Sequence, residues 1–187
     1  MNTYKLILKR RTIRKFSNKK IKQADLVDCI NAARLAPSSA NLQPLEYILV
    51  TKNLNLVFEC THWAGYLKDG APKHNEHPNA YIFILSNTEI SKQAKFDVGL
   101  AAQNIILTAL ERGIASCILG NLEREKLSKI LSIPEKYFIE LAVVLGYPKQ
   151  ISIEDKFKGD VKYWLDEKQV LHVPKKSLKD IIHKETY

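Results

Sequence analysis

Phe96-Asp97-Val98-Gly99-Leu100-Ala101-Ala102-Gln103-Asn104-Ile105-Ile106-Leu107-Thr108-Ala109-Leu110 carries two apolar patterns at once. Val98, Ala101, Ala102, Ile105, Ile106, Ala109 and Leu110 fall on the i, i+3, i+4, i+7 grid of one helix face, which predicts a helix over residues 92–112. Phe96, Leu100 and Leu107 form a second stripe, so this helix should be covered on most sides, as a central core element or a subunit interface. Around it, helical and strand patterns alternate. An amphipathic opening (Tyr4, Leu6, Ile7, Leu8) precedes expected helices over 23–36, 53–64 and 124–131, and expected strands over 45–51, 80–86, 114–119 and 138–146. Pro37 ends the first of those helices, and residues 37–44 read as a polar loop. Beyond Pro148 the pattern weakens to a charged stretch, the run 161–166, a β-like run at 170–173, and a final helix with Ser177 as its N-cap. That tail is too polar for a domain of its own. With no repeat or linker, one domain over 1–187 is expected.

The 187 residues are 45% hydrophobic and 26% charged, with 7 Gly and 7 Pro, which excludes disordered and collagen-like classes. The opening Met-Asn-Thr-Tyr-Lys lacks an apolar core, so no secretory signal is expected, and no apolar run is long enough to cross a bilayer. Cys29, Cys60 and Cys117 lack any paired or metal-finger spacing and are expected to be small buried side chains in a reducing cytoplasm. The net charge is +9. Residues 1–22 hold nine Lys and Arg and no acid, leaving 20 basic and 20 acidic residues in 23–187, so the whole excess lies at the start. That segment should receive an anion: a nucleic acid, a membrane surface or a ligand phosphate.

Nucleotide-fold, P-loop, zincin and α/β-hydrolase signatures are absent. The five His show no ligand spacing and are expected on surfaces or loops, without a metal. Asp and Glu show no pair that invites acid and base roles. Four polar segments remain. In Arg10-Arg11-Thr12-Ile13-Arg14-Lys15-Phe16, three Arg flank a hydroxyl, forked donors that suit phosphate oxygens, although a bare charge cluster is more often a solvated face. Pro37-Ser38-Ser39-Ala40-Asn41-Leu42-Gln43-Pro44 offers groups that donate and accept, as a heterocycle edge requires or as a capped loop uses. Leu119-Gly120 ends a strand where backbone N–H groups can approach a ligand or simply turn. Lys175-Lys176-Ser177 places two cations before an expected helix start.

Taken together and in this order, the segments resemble the FMN-dependent nitroreductase family. R-R-[ST]-x-R-x-F is matched at 10–16, A-P-S-[ST]-x-N-x-Q-P at 36–44, D-x-G-x-A-x-Q-N-x-x-L at 97–107, G-Y-P at 146–148 and h-V-P-K-[KR] at 172–176. The resemblance implies an α+β fold with a central mixed or antiparallel sheet flanked by helices. It also implies an intertwined homodimer with FMN at the subunit interface and residues 149–187 as an arm on the partner. Carried over by position, Arg10, Arg11 and Thr12, with Lys175 or Lys176, meet the phosphate and ribityl end. Arg14 lies near the N1 and O2 edge of the flavin. Pro37, Ser38, Ser39 and Asn41 come from the other subunit, and the backbone at Leu119 and Gly120 faces N5 and O4. The implied activity is a ping-pong oxidoreductase that takes electrons from NADH or NADPH and passes them to a nitroaromatic, a quinone or a similar small molecule. The flavin, not a protein acid or base, carries the chemistry. Dehalogenation or an oxygen-dependent reaction on the same fold is the rival, and a nucleic-acid binder, for which aromatics are sparse in 1–22, the more distant one.

Overall fold

A computed structural model describes residues 2–68 and 70–187. Its core is an antiparallel sheet in the order β1-β2-β4-β3, with β1 Leu45–Val50, β2 Ala80–Asn87, β3 Ala115–Leu119 and β4 Tyr137–Gly146. All eight residues of β2 are buried, which is why its sequence runs apolar without alternation. Successive residues serve opposite faces. Ile82, Ile84, Val143 and Leu145 pack with α2 (Gln23–Arg34) and α4 (Lys95–Glu111). Tyr81, Phe83, Leu85, Ala142 and Val144 pack with Ile13, Phe16, Val57 and Leu127, the last from α5 (Arg124–Ile130). The α+β architecture with an antiparallel sheet flanked by helices is the expected one.

The first apolar face of α4 is buried as its spacing requires. The second is not: Phe96 is 84% exposed and Leu100 45%. Two side chains lock α2 to α4. Asn104 donates to the Ala32 carbonyl at 2.9 Å, and Arg112 reaches Asp25 at 3.3 Å and Asp28 at 2.7 Å. Cys29, Cys60 and Cys117 are buried and free.

A short helix α1 (Thr3–Lys9) leads into the basic segment, which the core holds by its backbone. The Ile13 amide donates to Ser116 at 3.0 Å, Phe16 to Glu76 at 3.0 Å and Ser17 to Tyr147 at 2.8 Å. The fully buried Phe16 ring lies against Gly146, where any Cβ would come within 2.7 Å of it. The terminal Phe of the first motif and the Gly of Gly-Tyr-Pro are therefore one packing unit, and the spacing of two distant motifs records a contact.

Three expectations need correction. The expected helix over 53–64 is only α3, Leu54–Phe58. The backbone beyond it is diverted into pairing with 121–123: His62 donates to Asn121, and Glu123 to Cys60. Residues 149–187 contain a three-stranded sheet, β5 Ser152–Lys156, β6 Trp164–Leu165 and β7 Leu171–Lys175, in the order β5-β7-β6, so the stretch read only as charged holds a strand. The expected final helix is a single 3₁₀ turn, Leu178–Asp180, with Ser177 bonded to Asp180. Ile181 and Ile182 remain exposed, so no apolar face is buried to stabilise a helix there.

Candidate functional site

The basic segment leaves α1 at Arg10, whose amide caps that helix on the Leu6 carbonyl at 2.9 Å, and continues extended with Thr12 bridged to Ser116. It opens on a cavity of about 240 Å³ walled by Arg10, Arg11, Ile106, Leu110, Ser116 and Gln150. Arg10 is partly buried, and desolvation together with the neighbouring Arg11 lowers its pKa from the ordinary arginine value. Such a cation is relieved by an incoming anion. Arg11 already has partners, donating to the Leu8 carbonyl at 3.0 Å and to Glu154 on β5 at 2.9 Å. A pair this exposed is worth about 0–1 kcal/mol, so a phosphate can displace it.

Arg14 is set between core and arm. Its amide donates to Gln150 Oε1 at 3.2 Å, and its guanidinium lies 4.5 Å from the centre of the Tyr163 ring. Its Nε is buried with no hydrogen-bond partner. Beneath it, burial pushes the Cys117 thiol up to about 11 against the opposing pull of Arg14, so the thiol stays neutral and does not compensate the cation. A buried donor without an acceptor is costly, and a ligand oxygen or nitrogen is what this arrangement lacks.

The 37–44 loop has a strained backbone, since Ala40, Asn41 and Gln43 all adopt positive φ (48°, 54° and 51°). The Ser39 amide donates at 3.1 Å to Asp97, a buried carboxylate in the first turn of α4, and the Gln43 amide donates to Ser38 Oγ at 2.8 Å. These bonds hold Pro37, Ser39 and Asn41 exposed. Leu119 is buried at the end of β3, and a Cβ on Gly120 would meet nothing within 4 Å, so the space above it is open. The Gly120 carbonyl accepts from Arg124 at 3.0 Å.

The structure brings Arg10 and Arg11 to one cavity, while Thr12 is bridged to Ser116 and Arg14 lies against Tyr163. It does not bring the 37–41 loop to them. That loop is anchored at Asp97, while the Arg10 cavity sits at Ile106 and Leu110, about 14–20 Å further along α4 at 1.5 Å per residue. Lys175 and Lys176 are exposed at the end of β7, and only the 3₁₀ turn Leu178–Asp180 follows them. Gln150, Glu154, Tyr163 and Asp97 were missed by sequence reasoning. Only Asp97 carried a signal, as the first residue of its motif. The expectation for His172 is also corrected: it lies in β7 between Asp155 and Asp166, 3.4 Å from each, and stacks on Trp164 at 4.1 Å. Among the described residues no cluster of His, Cys, Asp and Glu could hold a metal ion. No helix described is long and apolar enough to cross a membrane.

Residues 7–147 match the sequence profile of the nitroreductase family. The chain belongs to this family. A protein of Archaeoglobus fulgidus assigned as an NADH dehydrogenase or NAD(P)H nitroreductase is 32% identical over 170 residues, 83% of this chain and 93% of the relative. The FMN reductase (NADPH) of Bacillus subtilis is 25% identical over 171 residues, 81% of this chain and 68% of the relative. A nitroreductase family protein from Clostridium difficile superposes with a TM-score of 0.73 at 19% identity, each chain covered in full, which shows the shared nitroreductase fold across the arm as well.

Proposed function

We propose that the protein is an FMN-dependent NAD(P)H oxidoreductase that works as a homodimer and reduces small acceptors such as nitroaromatics and quinones. The observation that carries this reading is Arg14, whose Nε is buried without a hydrogen-bond partner, in the same extended segment as the half-buried Arg10. The residues present fit FMN. When bound, FMN supplies a two-electron carrier between the nicotinamide and the acceptor. Arg10, Arg11 and Thr12, with Lys175 or Lys176, hold the phosphate, whose charge of about −1.5 to −2 relieves the desolvated guanidinium. Arg14 sets a fixed positive charge beside the ring system and favours its negatively charged reduced form. Gly120 leaves room for close approach at the end of β3.

The homodimer rests on two observations. Phe96 and Leu100 expose an apolar stripe along α4. The 37–41 loop, distant from Arg10 in its own chain, supplies Pro37, Ser38, Ser39 and Asn41 to the site of a second copy, and the 149–187 arm packs on that copy. Within one chain the arm also touches Arg11 and Arg14.

The purified protein should be yellow and release FMN on denaturation. Under anaerobic conditions NADH or NADPH should bleach the flavin band, and a quinone or nitroaromatic should restore it. A colourless protein that takes up no FMN removes the proposal, and bleaching by neither nucleotide removes the reductase half of it. Sedimentation should show a dimer at micromolar concentration. A flavin-bound monomer defeats the shared site.

A further inference from the structure

The turn that ends β3 is tied to the core sheet by one side chain. Arg124, the first residue of α5, donates from Nη2 to the Gly120 carbonyl at 3.0 Å and to the Glu140 carbonyl at 3.2 Å, and from Nε to the Ile139 carbonyl at 2.8 Å. All three bonds go to main-chain oxygens, one on the turn and two on β4. The guanidinium also lies 5.2 Å from the centre of the Phe138 ring. Its base is rigid, since Leu127, one helical turn further along α5, is fully buried in the core.

The residues on either side of this peptide are fixed by the backbone. Leu119 pairs with Ala142 in the sheet, the Asn121 carbonyl accepts from His62 at 3.1 Å, and Leu122 is bridged to Thr61. Between them the Gly120–Asn121 peptide is held through its carbonyl, by Arg124. Among the described residues no carbonyl accepts the N–H of Gly120 or of Asn121, and both residues are exposed. Glycine has no Cβ to choose the orientation of the peptide that follows it, so a bond from elsewhere must do so. In a planar trans peptide the C=O and the N–H point in opposite directions. With the Gly120 carbonyl turned to Arg124, the Asn121 N–H therefore faces away from that guanidinium.

We infer that Arg124 is a positioning residue: it fixes the Gly120–Asn121 peptide so that a backbone N–H is presented to the electron-rich edge of a bound ring system, and it does so through its fork of donors rather than through its charge. A donor fixed before the ligand arrives costs no reorganisation when charge develops on that ligand. Lysine carries the same charge as a point and cannot reproduce the planar fork on three carbonyls, which makes it the informative replacement. The naming of the ring as flavin rests on the oxidoreductase reading. The hold of Arg124 on the turn does not.

The test separates the two. In the full chain labelled with ¹⁵N, Arg124→Gln and Arg124→Lys should both loosen the amides of Gly120 and Asn121, with order parameters falling from about 0.85 to below about 0.6 while those of β3 and β4 hold. In the protein loaded with FMN, both variants should slow flavin reduction by NADH or NADPH about tenfold and leave FMN affinity within about threefold of the parent. Unchanged order parameters in both variants overturn the inference. Recovery in Arg124→Lys of all that Arg124→Gln loses overturns it too and assigns the effect to charge. So does a loosened turn with an unaltered rate of flavin reduction, because the bond then serves the turn alone. If Arg124→Gln fails to fold, Arg124→Lys carries the same comparison. A parent that takes up no FMN removes the oxidoreductase reading alone, and the order parameters then decide the inference.

Discussion

The two sheets of this protein are built on opposite terms. In β1-β2-β4-β3 the strand β2 is buried at every position, and side chains from both faces fill two cores. In β5-β7-β6 the strand β5 has no buried residue, and Leu171 is the one residue of β7 that is. Yet the poorer sheet carries the contacts that orient the basic segment: Glu154 on Arg11, and Tyr163, in the loop before β6, on Arg14. The core sheet positions the segment through its backbone, and the arm positions its side chains. Core packing and the placement of the basic side chains are thus divided between a dry sheet and an exposed one.

If that division is right, charge removal and backbone displacement should have separable effects. The largest is expected for Arg10→Ala/Arg11→Ala. Two charge-assisted phosphate bonds at about 1.5–3 kcal/mol each amount to at least a hundredfold in FMN affinity, read by fluorescence titration, with the urea midpoint little changed. A protein that loses its fold instead would place these arginines with the core. Gly146→Ala should act the other way round. The 2.7 Å approach to Phe16 forces ring and segment apart at a cost of about 1–3 kcal/mol in stability, measured by chemical unfolding, and flavin retention follows that loss. Gly120→Ala is its counterpart: stability within about 0.5 kcal/mol of the parent, because the added methyl meets nothing, but slower flavin reduction if the ring lies there.

Smaller effects are expected where the arm touches the site. Arg14→Met should lower the bound flavin's reduction potential by about 20–45 mV, equivalent to about 1–2 kcal/mol of lost stabilisation of the reduced state, while FMN stays bound. An unchanged potential takes Arg14 away from the flavin ring. The smallest concerns Asp166, held below its ordinary value of 3.8 by the Val170 amide that donates to it, aided by His172. A carboxyl depressed in the folded state stabilises above its unfolded value and loses that contribution as pH falls below it. Asp166→Asn should therefore speed hydrogen exchange at the Val170 amide at neutral pH, and the difference from the parent should persist at pH 3.8 and vanish only at lower pH, once the folded carboxyl is protonated. An unaltered exchange rate would show that the arm is held by other contacts.

Period and composition carried the core because they report burial, a local property of each residue. The apolar grid of α4, the unbroken run of β2 and the acid-free first 22 residues could each be read without a partner in view. Arg10, Arg11, Thr12 and Arg14 were legible as a set because they lie within five residues of one another. The ends of elements were harder. Residues 59–64 are pulled out of helix by pairing with 121–123, and the last helix fails for want of anything to pack on, both facts of tertiary context.

The sequence by itself determined where the apolar runs lie and that the charge excess falls in the first 22 residues, because charge and hydropathy are properties of residues one at a time, and its five motifs in family order carried the resemblance that implied an α+β fold. Only the tertiary structure decided that Phe16 and Gly146 are one contact, that Asp97 anchors the 37–44 loop, that the Nε of Arg14 is buried without a partner, and that His172 lies between two carboxylates. Each of these joins residues distant in the chain, apart from His172 and Asp166 across their hairpin. Whether a polar atom is satisfied, or a space filled, depends on what the fold brings beside it.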